Sequence, residues 1–314
     1  TYLLHLLQNI PGNWKGKYGV VAVLPRKLAE KLPPGLAVDV LTPGFPARSL
    51  VHRVLWFWFW LPRLLKDLTA DVLFCPGGSL ATRRLGGARS AVTHQNMLPF
   101  DSSERKRFPY GYIRAKFWLL RFVQGASFRD ADLTIFISNY AKSAIDRCIP
   151  RRRGKSVVIP HGVGEHFRQR AVSSPQALKG VEYVLYVSIL DFYKAQLEVV
   201  IAWAKLRQRR QTPEKLVLVG PEHPRYGRRV RKLVATLGLQ EEILVLGNIP
   251  YTELPSYHQY AKINLFASSC EIGASFVLIE VLAGGRPVLC SNYPPMPEAA
   301  GEGAAYFDPY DPER

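Results

Sequence analysis

The chain has little cysteine, and none of it is arranged as a metal site or a disulfide framework would need. Its 314 residues hold Cys75, Cys148, Cys270 and Cys290, far apart, with no C-x-x-C pair and no His-rich companion. That spacing argues against structural zinc and fits a reducing cytoplasm. No apolar run is long enough to span a bilayer, and neither an internal repeat nor a low-complexity tract occurs. A D-x-D metal motif is also missing, since Asp308-Pro309-Tyr310-Asp311 has a different spacing; no metal and no cofactor are expected. An initiator methionine is lacking as well. The chain opens at Thr1 and stops at Arg314 after an extended segment, and is expected to be a fragment without either end.

Acid is scarce in one half only. Residues 1–155 carry 25 Lys and Arg against 9 Asp and Glu, whereas residues 156–314 carry 17 against 16. Nearly all of the net charge of +17 therefore sits in the first half. Such asymmetry suggests that one domain meets an anionic surface while the other does not. Charge spread merely for solubility would not divide this way. A basic nucleic-acid-binding protein is one alternative, but no recognised binding motif accompanies the charge, and no nucleic-acid partner is expected.

What is present is apolar residue, 47% of the chain, enough for two cores in a length that suits two Rossmann-sized domains. In the second half short apolar runs at Tyr183–Val187, Leu216–Val219, Ile243–Leu246, Ile263–Phe266 and Pro287–Leu289 read as strands. Helical stretches over Gln196–Arg209, Gly227–Leu237, Thr252–Gln259 and Phe276–Ala283 separate them. Alternating strands and helices of these lengths predict an α/β fold with a parallel sheet and right-handed crossovers. The first half repeats the pattern less cleanly, with strands at Val38–Leu41, Val72–Phe74, Ser90–Thr93 and Leu133–Ile137. Its helices are expected over Leu28–Leu32, Leu50–Leu68, Tyr112–Phe122 and Asn139–Cys148, and Pro25 falls where a helix should follow the first loop. The basic run Arg151-Arg152-Arg153-Gly154-Lys155 reads as an exposed connection before a strand at Val157–Ile159. It divides the chain into an N-terminal domain, 1–155, and a C-terminal domain, 156–314.

Four segments carry chemistry. Pro11–Gly19 places three glycines and two lysines in what reads as a strand-to-helix turn, a plausible phosphate cradle because glycine lets backbone N–H groups approach an anion. His94 ends a strand, the edge where open α/β sheets bind ligands, and can meet a substrate hydroxyl; a structural histidine is the other reading. Lys194 stands where the loop after Tyr183–Val187 becomes a helix, suited to a diphosphate whose charge grows as a bond breaks; a solvated lysine is equally open. The fourth segment, Ser268–Val288, holds Glu271 in a loop, Ser275 and Phe276 entering a helix, Glu280 within it and Gly284-Gly285 ending it. First-turn N–H groups at Ser275 and Phe276 can bind phosphate, and the two carboxylates can accept hydrogen bonds from sugar hydroxyls. A capping serine with a solvated Glu is the alternative, but it leaves unexplained why Glu280 lies among Val277, Leu278, Ile279, Val281 and Leu282.

Over nearly its whole length the chain resembles the retaining glycosyltransferases of family 4. The resemblance is carried by Asn13–Gly19, Thr93-His94-Gln95-Asn96, Phe136-Ile137-Ser138, Val158–Val163, Lys194-Ala195-Gln196, Leu216–Gly220 and Glu271–Val288, in that order. It implies a GT-B fold of two Rossmann-like domains with parallel sheets facing across a cleft. The N-terminal domain would bind the acceptor and the C-terminal domain a nucleotide-diphosphate sugar. By the same resemblance Glu280 binds the ribose, Glu271 the transferred sugar, Lys194 the diphosphate and His94 the sugar near the reacting carbon. Gly16 approaches the donor from the opposite domain. The implied chemistry is metal-independent hexosyl transfer with retention of configuration.

Two positions depart from the family pattern. Eight residues separate Glu271 from Glu280 where seven are usual, and Ile189 replaces an arginine that helps neutralise the diphosphate. Lys194 would then act with backbone N–H groups alone, or with a second basic residue. A catalytically weak GT-B partner subunit is accordingly a further alternative. In the basic half, Leu50–Lys66 sets three tryptophans and two phenylalanines among Arg53, Arg63 and Lys66. That composition suits a lipid headgroup boundary, whereas a helix buried against the sheet is the competing reading. With the local charge it points to peripheral contact with an anionic inner leaflet, and so to a saccharide or polyprenyl- or lipid-linked acceptor in polysaccharide or lipopolysaccharide assembly.

Overall fold

The computed structural model describes residues 2–14, 16–44, 49–108, 110–171 and 173–311. The first half opens with Tyr2–Gln8 (α1), Val21–Val23 (β1), Arg26–Ala29 (α2) and Asp39–Leu41 (β2), the two strands paired in parallel. Leu50–Leu55 (α3) and Leu61–Asp67 (α4) lead to Val72–Cys75 (β3) and Arg89–Thr93 (β4). Ser102–Arg107 (α5) and Tyr112–Asp130 (α6) precede Leu133–Phe136 (β5), and Asn139–Cys148 (α7) precedes Lys155–Val158 (β6). Strands β3, β4, β5 and β6 lie side by side in that order.

The second half alternates without a break. Tyr183–Val187 (β7), Gln196–Arg209 (α8), Lys215–Val219 (β8), Pro224–Thr236 (α9) and Ile243–Gly247 (β9) come first. Leu254–Tyr260 (α10), Ile263–Phe266 (β10), Phe276–Ala283 (α11), Val288–Ser291 (β11), Met296–Ala300 (α12) and Ala305–Phe307 (β12) follow. The six strands run parallel in the order β12-β11-β10-β7-β8-β9. From β7 the chain steps outward through β8 and β9, then returns to lay β10, β11 and β12 on the other side. The switch point falls between β7 and β10, and in an open parallel sheet a ligand sits beyond the carboxyl ends of those two strands. Both faces of this sheet are covered. Tyr186, Leu216, Leu218, Phe266, Leu278 and Val281 belong to one buried cluster, and Phe167, Leu185, Val217, Val219 and Tyr257 to another.

Two compact units result. One holds the chain up to Thr93 with Ala126–Thr134 and Arg152–Lys155; the other holds His94–Gly125, Ile135–Arg151 and everything from Ser156 onward.

Three local expectations in the first half change. Pro11–Gly19 is not a strand-to-helix turn: it follows α1, passes through a short 3-10 turn at Gly12–Trp14 and enters β1. The segment enters a strand and so supplies no helix N-terminus of its own for the cradle, and Lys15 lies outside the described residues. Pro25 finds its place as the residue just before α2, where an imino nitrogen forfeits no helical hydrogen bond. The helix expected over Leu50–Leu68 is interrupted by a π-turn at Trp56–Trp60. Pro62 has no N–H to return to Trp58, and the Leu61 N–H bonds instead to the Trp56 carbonyl five residues back. The buried-helix reading holds for Trp56, Leu61 and Leu65 and fails for Trp58, Phe59 and Trp60, which are exposed.

Candidate active site

At the carboxyl end of β7 the chain turns through a short 3-10 helix, Phe192–Lys194, capped at its start by the Asp191 carboxylate on the Phe192 N–H at 2.8 Å. Ala195 follows in the left-handed region (φ 53°), a strained conformation for a residue with a Cβ, and α8 begins directly after it. The turn is fixed from both sides. The Tyr186 hydroxyl donates to the Lys194 carbonyl at 2.7 Å, and Gln196 donates to the Ile189 carbonyl at 3.0 Å. Beyond the neighbouring strand, β10, the Ser269 N–H donates to the Tyr193 carbonyl at 2.8 Å. The loops after the two strands flanking the switch point are thereby tied together.

The pairing this produces is the centre of the site. Lys194, 7% exposed, directs its ammonium onto the Glu271 carboxylate, with the rings of Tyr193 and Phe266 4.8 and 5.6 Å from the nitrogen. With the longer spacing to Glu280, Glu271 lies against Lys194. Glu280 is separate from this pair. It is buried in α11 and accepts a 2.6 Å hydrogen bond from the Tyr251 hydroxyl. Burial raises its pKa above the ordinary carboxylate range, and the Tyr251 bond pulls partly the other way. Burial, then the neighbouring Glu280, raises Tyr251 in turn.

Ser275 caps α11, its hydroxyl accepting from the Leu278 N–H at 3.3 Å, so its side chain serves the helix and an anion there is left to the backbone N–H groups of the first turn. The Phe276 ring stacks on His161 at 4.4 Å, 14° from parallel. Burial lowers the His161 pKa to about 4, so the imidazole is neutral at pH 7. His94 lies at the end of β4 as expected but is fully enclosed. Its Nε2 is 3.0 Å from the Asn96 carbonyl, its ring meets Phe100 and Phe136 edge-on, and burial lowers its pKa to about 4. In this conformation it is a neutral packed histidine without surface for a sugar. Gly16 belongs to the other unit, in the left-handed region at φ 79°.

The glycine loop before α11 is shaped by residues from the first half of the sequence. The Ser138 hydroxyl donates to the Ile272 carbonyl. A Cβ on Gly273 would stand 3.0 Å from the Ile137 carbonyl, closer than ordinary van der Waals contact, so a side chain there requires its neighbours to give by a few tenths of an ångström. Glu104, buried on α5, accepts from Ser269 at 3.1 Å and from Tyr310 at 2.8 Å, and Arg107 bridges it to Glu198 at 3.5 and 3.0 Å. Burial raises Glu104 despite that arginine. Ile189 is 38% exposed; Arg107, reaching Ser269 Oγ at 3.5 Å, is a second cation beside the 268–271 loop. Tyr251, His161, Glu104 and Arg107 were not marked by the sequence as site residues. His161 lies inside a matched motif, while the other three carry no local signal.

Among curated proteins no match is found. Solved structures share the fold. The glycosyltransferase from Rickettsia africae ESF-5 is 19% identical with a TM-score of 0.68, covering 95% of this chain and 78% of its own. Sucrose-phosphate synthase from Thermosynechococcus elongatus is 18% identical with a TM-score of 0.72, covering 99% and 80%. Anabaena HepE in complex with UDP is 16% identical with a TM-score of 0.68, covering 99% and 82%. The family model described as Glycosyltransferase Family 4 matches residues 19–166, and that described as Glycosyl transferases group 1 matches residues 168–314. Since the two models together take in nearly the whole chain, the protein belongs to the family 4, group 1 glycosyltransferases of the GT-B type.

Proposed function

We propose that the chain transfers a hexose, with retention of anomeric configuration and without a metal ion, from a nucleotide-diphosphate sugar to a saccharide or lipid-linked acceptor. Its setting would be the cytoplasmic face of a membrane, in cell-surface polysaccharide or lipopolysaccharide assembly. The observation that carries this reading is the meeting of Lys194 and Glu271 beyond β7 and β10, the strands that flank the switch point. In the transfer, Lys194 and the first-turn N–H groups of α11 hold the negative charge that develops on the leaving diphosphate. Glu271, released from Lys194, accepts from hydroxyls of the hexose. Glu280, oriented by Tyr251, accepts from the ribose. His94, enclosed and neutral at pH 7, supplies no proton to the transfer.

HepE structures that contain UDP and UDP-glucose make uridine nucleotides the first donors to test. The experiment is a thermal-shift panel of GDP-, UDP-, ADP- and dTDP-linked sugars. One donor should raise the melting temperature, and Glu280→Ala should abolish most of that rise. No shift with any donor overturns the transferase reading, while a shift without hydrolysis or transfer would favour a partner subunit that binds the donor but has lost turnover.

A further inference from the structure

Helix α6 buries Phe128 yet leaves a large aromatic and aliphatic face open to solvent. Gln124 and Ser127 are buried, whereas Trp118, Leu119 and Phe122 are 60, 59 and 54% exposed, with Tyr112 and Val123 exposed beside them. At 3.6 residues per turn these five side chains and Lys116 fall within an arc of about 160°, a single outward face. The face is continuous, for the Trp118 and Phe122 rings pack edge to face with centroids 4.2 Å apart. Over Tyr112–Asp130 the helix carries Arg114, Lys116, Arg121 and Arg129 against one acid, Asp130 at its last position, which pairs with Arg83 at 2.8 Å. No described helix is long and apolar enough to cross a membrane.

We propose that this face of α6 lies in the headgroup boundary of an anionic lipid surface, parallel to its plane. Aromatic and aliphatic side chains on one face, basic residues along its borders and little acid are what such a boundary selects. A protein partner would not require four basic residues against one acid on the helix, and the excess of basic residues in the first half extends the same charge preference beyond α6. The inference extends the reading of a lipid-linked acceptor and supplies the element that would hold the enzyme at that acceptor's surface.

The test is co-sedimentation of the protein, without donor, with vesicles of phosphatidylcholine alone and of phosphatidylcholine mixed with phosphatidylglycerol. Binding is expected to the mixed vesicles, weakening as salt rises, with tryptophan emission quenched by brominated acyl chains. The W118S/L119S/F122S variant should lose at least about ten-fold in partitioning. It should melt like the parent, because these side chains are exposed. Lys116→Glu should lower only the salt-sensitive part. Equal binding to both vesicle types, or undiminished binding by the triple variant, overturns the proposal. So does self-association or duplex DNA binding through this face in the absence of vesicle binding. Donor stabilisation without vesicle binding would remove this inference and leave the transferase reading; vesicle binding without any donor effect would do the reverse.

Discussion

Lys194 and Glu271 each hold the other's charge in a place where water barely reaches, with side chains 9% and 12% exposed. A buried pair of this kind gives little net stability, because desolvation offsets most of the attraction, yet losing one partner leaves the other costly. In the proposed transfer a diphosphate arriving at Lys194 would have to displace the Glu271 carboxylate, its partner in the free protein. Glu271→Gln should have two opposed effects. Unfolding free energy falls by about 1–3 kcal/mol, and affinity for UDP or GDP rises by about ten-fold because no anion competes for the ammonium. Denaturant titration and calorimetric nucleotide binding read the two separately. An unchanged or weaker nucleotide affinity would show that the pair does not stand in the diphosphate's position. At this scale the positions of Lys194 after β7, Glu271 after β10 and Glu280 within α11 were legible, because the apolar runs around them are readable. Tyr251 was not, since nothing at position 251 announces a carboxylate 29 residues further along.

Among the elements, α7 and the loop before α11 show how distant segments shape one another. The N-terminus of α7 is capped twice: Ser138 Oγ accepts from the Ala141 N–H at 2.9 Å, and the Glu298 carboxylate accepts from the Asn139 and Tyr140 N–H groups at 2.7 and 2.9 Å. A carboxylate at that end also meets the positive pole of the helix. Glu298→Ala should cost about 1 kcal/mol, as a partly exposed cap does. Gly273→Ala forces either the loop or Ile137 and Ser138 to shift, a loss of about 1–3 kcal/mol in urea unfolding. It should also weaken donor stabilisation, since the loop carries Glu271; full retention of both quantities would mean the close approach has no consequence. The alternation of strands and helices from 183 onward was readable because each element's apolar run matches its own period. Pro11–Gly19 misled because its glycines carry no record of whether a strand or a helix precedes them. The π-turn at Trp56–Trp60 follows from Pro62, but a single proline does not reveal which hydrogen bond the helix will lengthen. That Glu298 would cap α7, or Glu104 hold Ser269, depends on tertiary placement that no local pattern encodes.

For the molecule as a whole, buried histidines set how folding responds to acid. His94 and His258 are both fully enclosed, and burial lowers each pKa to about 4 from the ordinary 6.5. Between those values the unfolded chain binds protons that the folded chain refuses, so stability is complete above about pH 6.5 and falls as pH drops toward 4. The loss from pH 7 to 5 is about 2 kcal/mol per histidine. Glu104 and Glu280 act in the opposite sense, because a raised carboxyl pKa makes the folded state bind protons more readily just above the usual carboxylate range. Wild-type pH dependence is then a difference of these terms, and a variant is needed to isolate one of them. His258 is the suitable choice, since it pairs with Asn264 Oδ1 at 2.8 Å beneath α10 and takes no part in the proposed chemistry. His258→Gln cannot be protonated and should lower stability at pH 7, where a buried partner is lost. Its decline between pH 7 and 5 should be shallower than the wild type's by about 2 kcal/mol. Parallel curves for the two proteins in urea unfolding across that range would show that His258 takes up its proton without unfolding.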